Sequence, residues 1–174
     1  MREDCSEANS RSRNAAKAET CKIYIASDHG GFELKSELIR FLNKRGHATE
    51  DLGSHSPNPD DDYPDFALTL SKKVSREDGR GILVCRTGAG MCMAANKVSG
   101  VYAAVCLEKE SATFARKHQN CNVLCLGTKW VSGKKAEEIV DTWLATRFEG
   151  GRHERRLKKI KEIERTYTDG YDGQ

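Results

Sequence analysis

The chain has 174 residues, 37% hydrophobic and 32% charged, with a formal net charge of +3. This length suits one domain with a sizeable core rather than two, and no apolar run approaches the ~20 residues that cross a bilayer. The charge is too small to point to nucleic acid or a membrane surface, and residues 1–20 lack both a signal peptide's apolar stretch and a transit peptide's shortage of acids.

The expected compartment is therefore the cytoplasm. Residues 1–20 are expected to form a disordered polar leader, 21–167 a single domain with a C-terminal helix, and 168–174 a frayed tail. CKIYIAS (21–27) reads as a buried strand. DHGGFELKSELIRFLNKRG follows with Leu34, Leu38, Phe41 and Leu42 on one helical stripe, and Gly46 marks its end. HATEDLG is a weaker strand and SHSPNPDDDYP a polar loop. DFALTLSKKVSRED is helical through Phe66, Leu70 and Val74. GILVC (81–85) is a strand, RTGAG a loop and MCMAANKV a helix of small residues. VYAAVCL and NVLCLG are strands on either side of the helix EKESATFARKH. GKKAEEIVDTWLATRF is amphipathic through Ala136, Ile139, Val140, Trp143 and Leu144. The last helix spans Arg152 to Tyr167, with Leu157, Ile160, Ile163 and Tyr167 on one side.

Short apolar strands alternating with helices call for a parallel sheet covered on both faces. The expected architecture is α/β: an open, doubly wound, mainly parallel five-stranded sheet, a Rossmann-like three-layer sandwich. Ligands in such sheets bind at the C-terminal ends of strands, which directs attention to four segments. These are Ser27–Gly31, Cys85–Gly90, the region of His118, and Gly127–Lys129.

In the first segment Asp28 suits a helix cap, with His29 beside it. In the second, a Gly-rich turn between strand and helix exposes N–H groups that suit a phosphate or a developing oxyanion, without the full pattern of a nucleotide loop. Cys85 immediately precedes that turn, where amide dipoles favour thiolate and Thr87 has a hydroxyl to offer the sulfur. A thiolate there can remove a proton alpha to a carbonyl while amides steady the enediolate. His118 ends a helix, where it either complements the dipole or exchanges a proton with a ring oxygen. Arg152 and Arg156 share one helical face, as a phosphate monoester requires or as a solvated face allows.

Seven cysteines is an odd number, and Cys85, Cys106 and Cys125 lie in apolar runs. They read as reduced buried thiols, without the spacing of a zinc cage. The basic stretch RFEGGRHERRLKKIKEIER has no interleaved aromatics and so does not read as an RNA platform.

The motifs SDHGGFELK, DYPDFA, CRTGAGMCMAANKVSGVYAAVC, ARKHQN, NVLCLG and FEGGRHERRL, in this order, resemble those of type B ribose-5-phosphate isomerases and the related galactose- and allose-6-phosphate isomerases. The likeness covers Lys22 to Tyr167. It implies interconversion of ribose 5-phosphate and ribulose 5-phosphate with no metal and no cofactor. Cys85 would be the base, Thr87 its neighbour and His118 the ring opener. Asp28, His29 and Tyr63 would contact substrate, and the Arg86–Gly90 loop, with Gly88, Ala89 and Gly90, would stabilise the enediolate. Gln119 and Lys129 would border the sugar, and Arg152 and Arg156 would bind phosphate.

The resemblance further implies a homodimer, with tetramers open, whose pocket draws on both subunits, the C-terminal arginines and His29 serving the neighbour's site. Met91 stands where some members carry a glutamate base. Arg86 replaces a usual glycine, Gln119–Asn120 a usual Asn–Asp, and Lys129 a frequent arginine. The alternatives are a six-carbon 6-phosphate substrate or a non-catalytic sugar-phosphate-binding module.

Overall fold

Five apolar runs pair into one sheet in the computed structural model, which describes residues 22–77 and 79–168. The strands are β1 (Ile23–Ser27), β2 (Thr49–Asp51), β3 (Arg80–Cys85), β4 (Ala103–Val105) and β5 (Val123–Gly127). Their order is β2-β1-β3-β5-β4, and every pairing is parallel. β1 and β5 are buried at every position, as a sheet covered on both sides demands.

Alternate strand residues feed two cores. On one face Ile25, Ile82, Val84 and Leu124 pack beneath α1 (Phe32–Lys44), α4 (Lys109–Lys117) and α5 (Gly133–Ala145). On the other, Tyr24, Leu83, Cys85 and Cys125 pack beneath α2 (Tyr63–Glu77) and α3 (Ala89–Ala95). α1 buries Leu34, Leu38 and Leu42, the i, i+4 stripe read from the sequence, while Phe41 is half-buried. α5 buries Ala136, Ile139, Val140 and Trp143; each large apolar side chain withdrawn in this way contributes about 1.5–3 kcal/mol. α4 begins with a reciprocal capping box between Glu108 and Ser111. α2 starts two residues before the expected Asp65, with Pro64 in its first turn, where its missing N–H costs nothing.

The chain runs from β1 outward to β2 and returns to place β3 on β1's other side. The helix after β1 then covers one face and the helix after β3 the opposite face. β1 and β3 thus flank the switch point of a doubly wound sheet, where folds of this kind bind ligands at the strand C-termini. The expected Rossmann-like sandwich is the observed one.

The last helix, α6 (Arg152–Thr168), lies outside both cores. Leu157 is buried, but Ile160, Ile163 and Tyr167 are 44%, 58% and 73% exposed. Beyond Leu157, the apolar stripe read from the sequence is therefore left exposed by the described residues. The expected leader over 1–20, and the expected tail beyond Thr168, lie outside the described residues. Among the described residues no helix is long and apolar enough to cross a membrane.

Candidate active site

Cys85 is the last residue of β3 and only 4% exposed. Its sulfur accepts a hydrogen bond from the Gly88 N–H at 3.1 Å, so the donor is a backbone amide rather than the expected hydroxyl of Thr87, which is exposed. Gly88 reaches this geometry at φ 78°, left-handed backbone that suits glycine.

The neighbouring loops are tied to this turn. Thr128 N–H donates to the Cys85 carbonyl at 3.0 Å, and Lys129 N–H to that of Arg86 at 2.9 Å. The Thr128 hydroxyl donates to the Gly30 carbonyl at 3.1 Å, which joins the loops after β1 and β5. Tyr63, at the start of α2, lies over Gly90 so closely that a Cβ there would sit 2.7 Å from its ring. One end of the sheet thus assembles Asp28, His29, Tyr63, Cys85, Arg86, Thr87, Gly88, Ala89, Gly90 and Lys129.

Asp28 is buried and caps the turn into α1, its Oδ1 accepting from Gly31 N–H at 3.0 Å. Burial raises its pKa. His29 is exposed, and its Nδ1 lies 2.6 Å from Oδ1 of Asp61, which also accepts the His29 backbone N–H at 3.1 Å. The hydrogen bond to Asp61 raises the imidazole pKa and leaves Nε2 pointing away from the carboxylate. Asp61 was not singled out in the sequence, where it is the middle of three consecutive aspartates. His29 also lies on the Cys85 side of its own chain, close enough to Arg86 to feel its charge.

The remaining candidates lie elsewhere. His118 is the C-cap of α4 and stands at the N-terminal end of β5, as its place between a helix and a strand implies, although its segment was also grouped with the C-terminal loops. The reason is topological: each crossover helix returns the chain to where the next strand starts. β5 is five residues long, or about 16 Å, and its length separates His118 from the level of Cys85.

Around His118 a second constellation forms. Its ring stacks on His153 with centroids 4.2 Å apart and planes 5° from parallel, and on Phe114 at 5.1 Å. Glu149 Oε2 lies 3.9 Å from His118 Nε2 and 3.3 Å from Lys117 Nζ. His153 is 5% exposed, and Arg152 Nε donates to its Nε2 at 3.4 Å. Burial first, then the charges of His118 and Arg152, lower the His153 pKa. Arg152, Arg156 and Gln119 are exposed at this end. The sequence singled out Arg152 and Arg156 but passed over His153 and Glu149. A signal for His153 existed, since it precedes buried Leu157 by four residues on the same helical stripe.

The thiols divide as well. Burial pushes Cys106 up to about 11 and Cys121 to about 12, the inert behaviour expected of core cysteines. Half-buried Cys92 departs from it: a hydrogen bond from Cys125 holds its thiol down to about 7.

Residues 23–160 match the family model described as Ribose/Galactose Isomerase. The chain is similar to a probable ribose-5-phosphate isomerase B of Mycoplasma genitalium, 46% identical over 145 residues that cover 82% of this chain and 95% of the relative. Its fold is similar to that of Clostridium thermocellum ribose-5-phosphate isomerase B, with a TM-score of 0.82 at 48% identity, covering 84% of this chain and 99% of the other. It is also similar to the Mycoplasma genitalium ribose-5-phosphate isomerase B solved with bound ribulose 5-phosphate, with a TM-score of 0.81 at 45% identity, covering 83% and 96%.

Proposed function

The chain belongs to the ribose/galactose isomerase family, and from that membership we propose that it interconverts ribose 5-phosphate and ribulose 5-phosphate by proton transfer at Cys85. The named relatives carry ribose 5-phosphate in their names, and the six-carbon and non-catalytic alternatives are not favoured. The observation that carries the mechanism is the hydrogen bond from Gly88 N–H to a thiol at the C-terminal end of β3.

Cys85 thiolate takes the C2 proton of the open-chain aldose, and the bonding electrons move onto O1 to give an enediolate. The sulfur then returns the proton to C1 while the hydroxyl proton passes from O2 to O1, giving the ketose. Amides of the Arg86–Gly90 loop, including Gly88 once it is released from the sulfur, face the negative charge as it forms. Asp28 and Tyr63 orient the sugar. His29, whose imidazole pKa the hydrogen bond to Asp61 raises, attracts the phosphate in its cationic form, together with Lys129.

Ring opening and phosphate binding need His118, Arg152 and Arg156, which the fold holds at the far end of the sheet. We infer a twofold homodimer in which those residues of one protomer complete the crevice at Cys85 of the other, an isologous arrangement. The uncovered Ile160, Ile163 and Tyr167 face of α6 supports it, because an exposed apolar stripe marks an interaction surface. Rates on ribose, allose and galactose phosphates, with solvent-proton exchange at C2, test the activity. Fastest turnover on ribose 5-phosphate is expected, and no exchange on any of the three would remove the reading.

A further inference from the structure

We propose that His118, His153 and Glu149 form a binding site for a transition-metal dication of the zinc class, and that occupancy inhibits the isomerase reversibly. One donor atom from each residue lies within 4.8 Å of the other two. They come from three separate places: the C-cap of α4, the loop after α5 and the first turn of α6. A tetrahedral ion with ligands at about 2.1 Å holds its donors ~3.4 Å apart, so the cluster has to tighten by roughly an ångström. Glu149 is exposed and can swing. The stacked rings, 5° from parallel, aim their lone pairs along parallel planes, so His118 must turn about Cβ–Cγ for both nitrogens to meet one ion. His153, nearly buried, is the fixed member.

The donor chemistry selects the ion. Two imidazoles and one carboxylate suit Zn2+, Co2+ or Ni2+, whereas Mg2+ and Ca2+ prefer oxygen ligands. A ligating imidazole must be neutral. His153 accepts a hydrogen bond from Arg152 at Nε2, which marks that nitrogen as an acceptor with its lone pair available. The surroundings oppose the ion: Lys117 pairs with Glu149, Arg152 holds His153, and Arg156 adds positive charge. Binding therefore displaces two existing interactions and is moderate rather than tight. Three protein ligands leave coordination positions for water or a substrate oxygen.

The inhibition, though not the binding, rests on the assignment of His118 to ring opening. An ion on the His118 nitrogen occupies the lone pair that would exchange a proton with the ring oxygen. Zinc is then expected to slow turnover of cyclic ribose 5-phosphate, and a chelator to restore it.

The test titrates Zn2+ into the full-length protein against a chromophoric indicator, with isomerase activity followed in parallel. Wild type, Glu149→Gln and His153→Ala are compared, and Co2+ absorbance reports the ligand type. Binding of one ion per chain is expected, at least ~10-fold weaker in Glu149→Gln and lost in His153→Ala, with no thiolate-to-cobalt band. Glu149→Gln should keep wild-type turnover in metal-free buffer while losing zinc sensitivity. Equal affinity in all three proteins, a thiolate band, or no competition with the indicator would overturn the site. If zinc binds as described but activity is unmoved, the inhibitory half of the proposal fails and the ring-opening role of His118 is brought into question. Glu149 lies on the surface, so its variant decides the matter even if His153→Ala does not fold.

Discussion

The two ends of the sheet are built differently. At the C-terminal end, the loops after β1, β3 and β5 are joined through the backbone: Thr128 and Lys129 amides bond the Cys85 and Arg86 carbonyls, and the Thr128 hydroxyl bonds Gly30. At the N-terminal end, one backbone bond, from Glu149 N–H to the Lys117 carbonyl at 3.0 Å, ties the turn before α6 to the end of α4, and the side chains of His118, Glu149 and His153 meet there by a ring stack and an ion pair. The first region holds a preorganised thiol and hydrogen-bond donors, as proton abstraction needs. The second holds two stacked imidazoles and two exposed arginines, one of them hydrogen-bonded to His153. On the proposed roles neither end has the parts for the whole reaction, and the proposal of two copies acting together rests on this.

The sharpest way to break the comparison is at the sulfur. Cys85→Ala should lower kcat by about 10³-fold or more, on the scale of a lost general base, while binding of a sugar-phosphate inhibitor is retained. A residual rate near wild type would move the chemistry away from the C-terminal end.

Removing the imidazole at the other end should cost less and cost it selectively. His118→Ala is expected to slow cyclic ribose 5-phosphate by about 10²-fold, with little change on an open-chain analogue. Equal losses on both substrates would mean that His118 acts on the isomerisation step or on folding.

The smallest effect is expected at Asp61. The His29 pKa is raised, so its cation persists from acid pH upward and is lost as pH rises through that raised value. Asp61→Asn removes the main cause, which shifts the loss of cationic His29 to lower pH. The charged groups facing His29 are Asp61, Asp28 and Arg86; once Asp61 is neutral, Arg86 opposes the cation and only Asp28 favours it. KM for the phosphate sugar should therefore rise a few-fold on the alkaline side, with kcat nearly unchanged. A pH profile of KM that superimposes on wild type would show that Asp61 does not set the charge of His29.

The two ends also differ in how far the sequence foretold them. Asp28, His29, Cys85, Arg86, Thr87 and Lys129 follow strands directly, so an apolar run that ends in a polar or Gly-rich turn locates them, and the sheet's topology brings the turns together. The sheet itself was legible for the same reason, because β1, β3 and β5 are continuous apolar runs. Asp61 was hidden by redundancy: three neighbouring carboxylates look alike until the loop's path selects one. Glu149 and His153 were hidden by distance, since nothing local shows that the turn before α6 packs on the end of α4. His118, between a helix and a strand, was legible as lying at a strand N-terminus, and the structure places it there; grouping its segment with the C-terminal loops was the error. The α6 stripe was legible as one face of a helix, but of its residues Leu157 alone is buried by the described residues.

The most direct test of the split site is complementation between two inactive proteins. Cys85→Ala and His118→Ala chains are co-expressed and the mixed population is purified through tags on both. In a heterodimer, one crevice combines an intact Cys85 with the intact His118 of the other chain, and the second crevice lacks both. Heterodimers with both tags should recover about half of wild-type activity per dimer, while each parent alone stays near background. Recovery no greater than the sum of the two parents would contradict a site shared between protomers and require Cys85 and His118 of the same chain to act together.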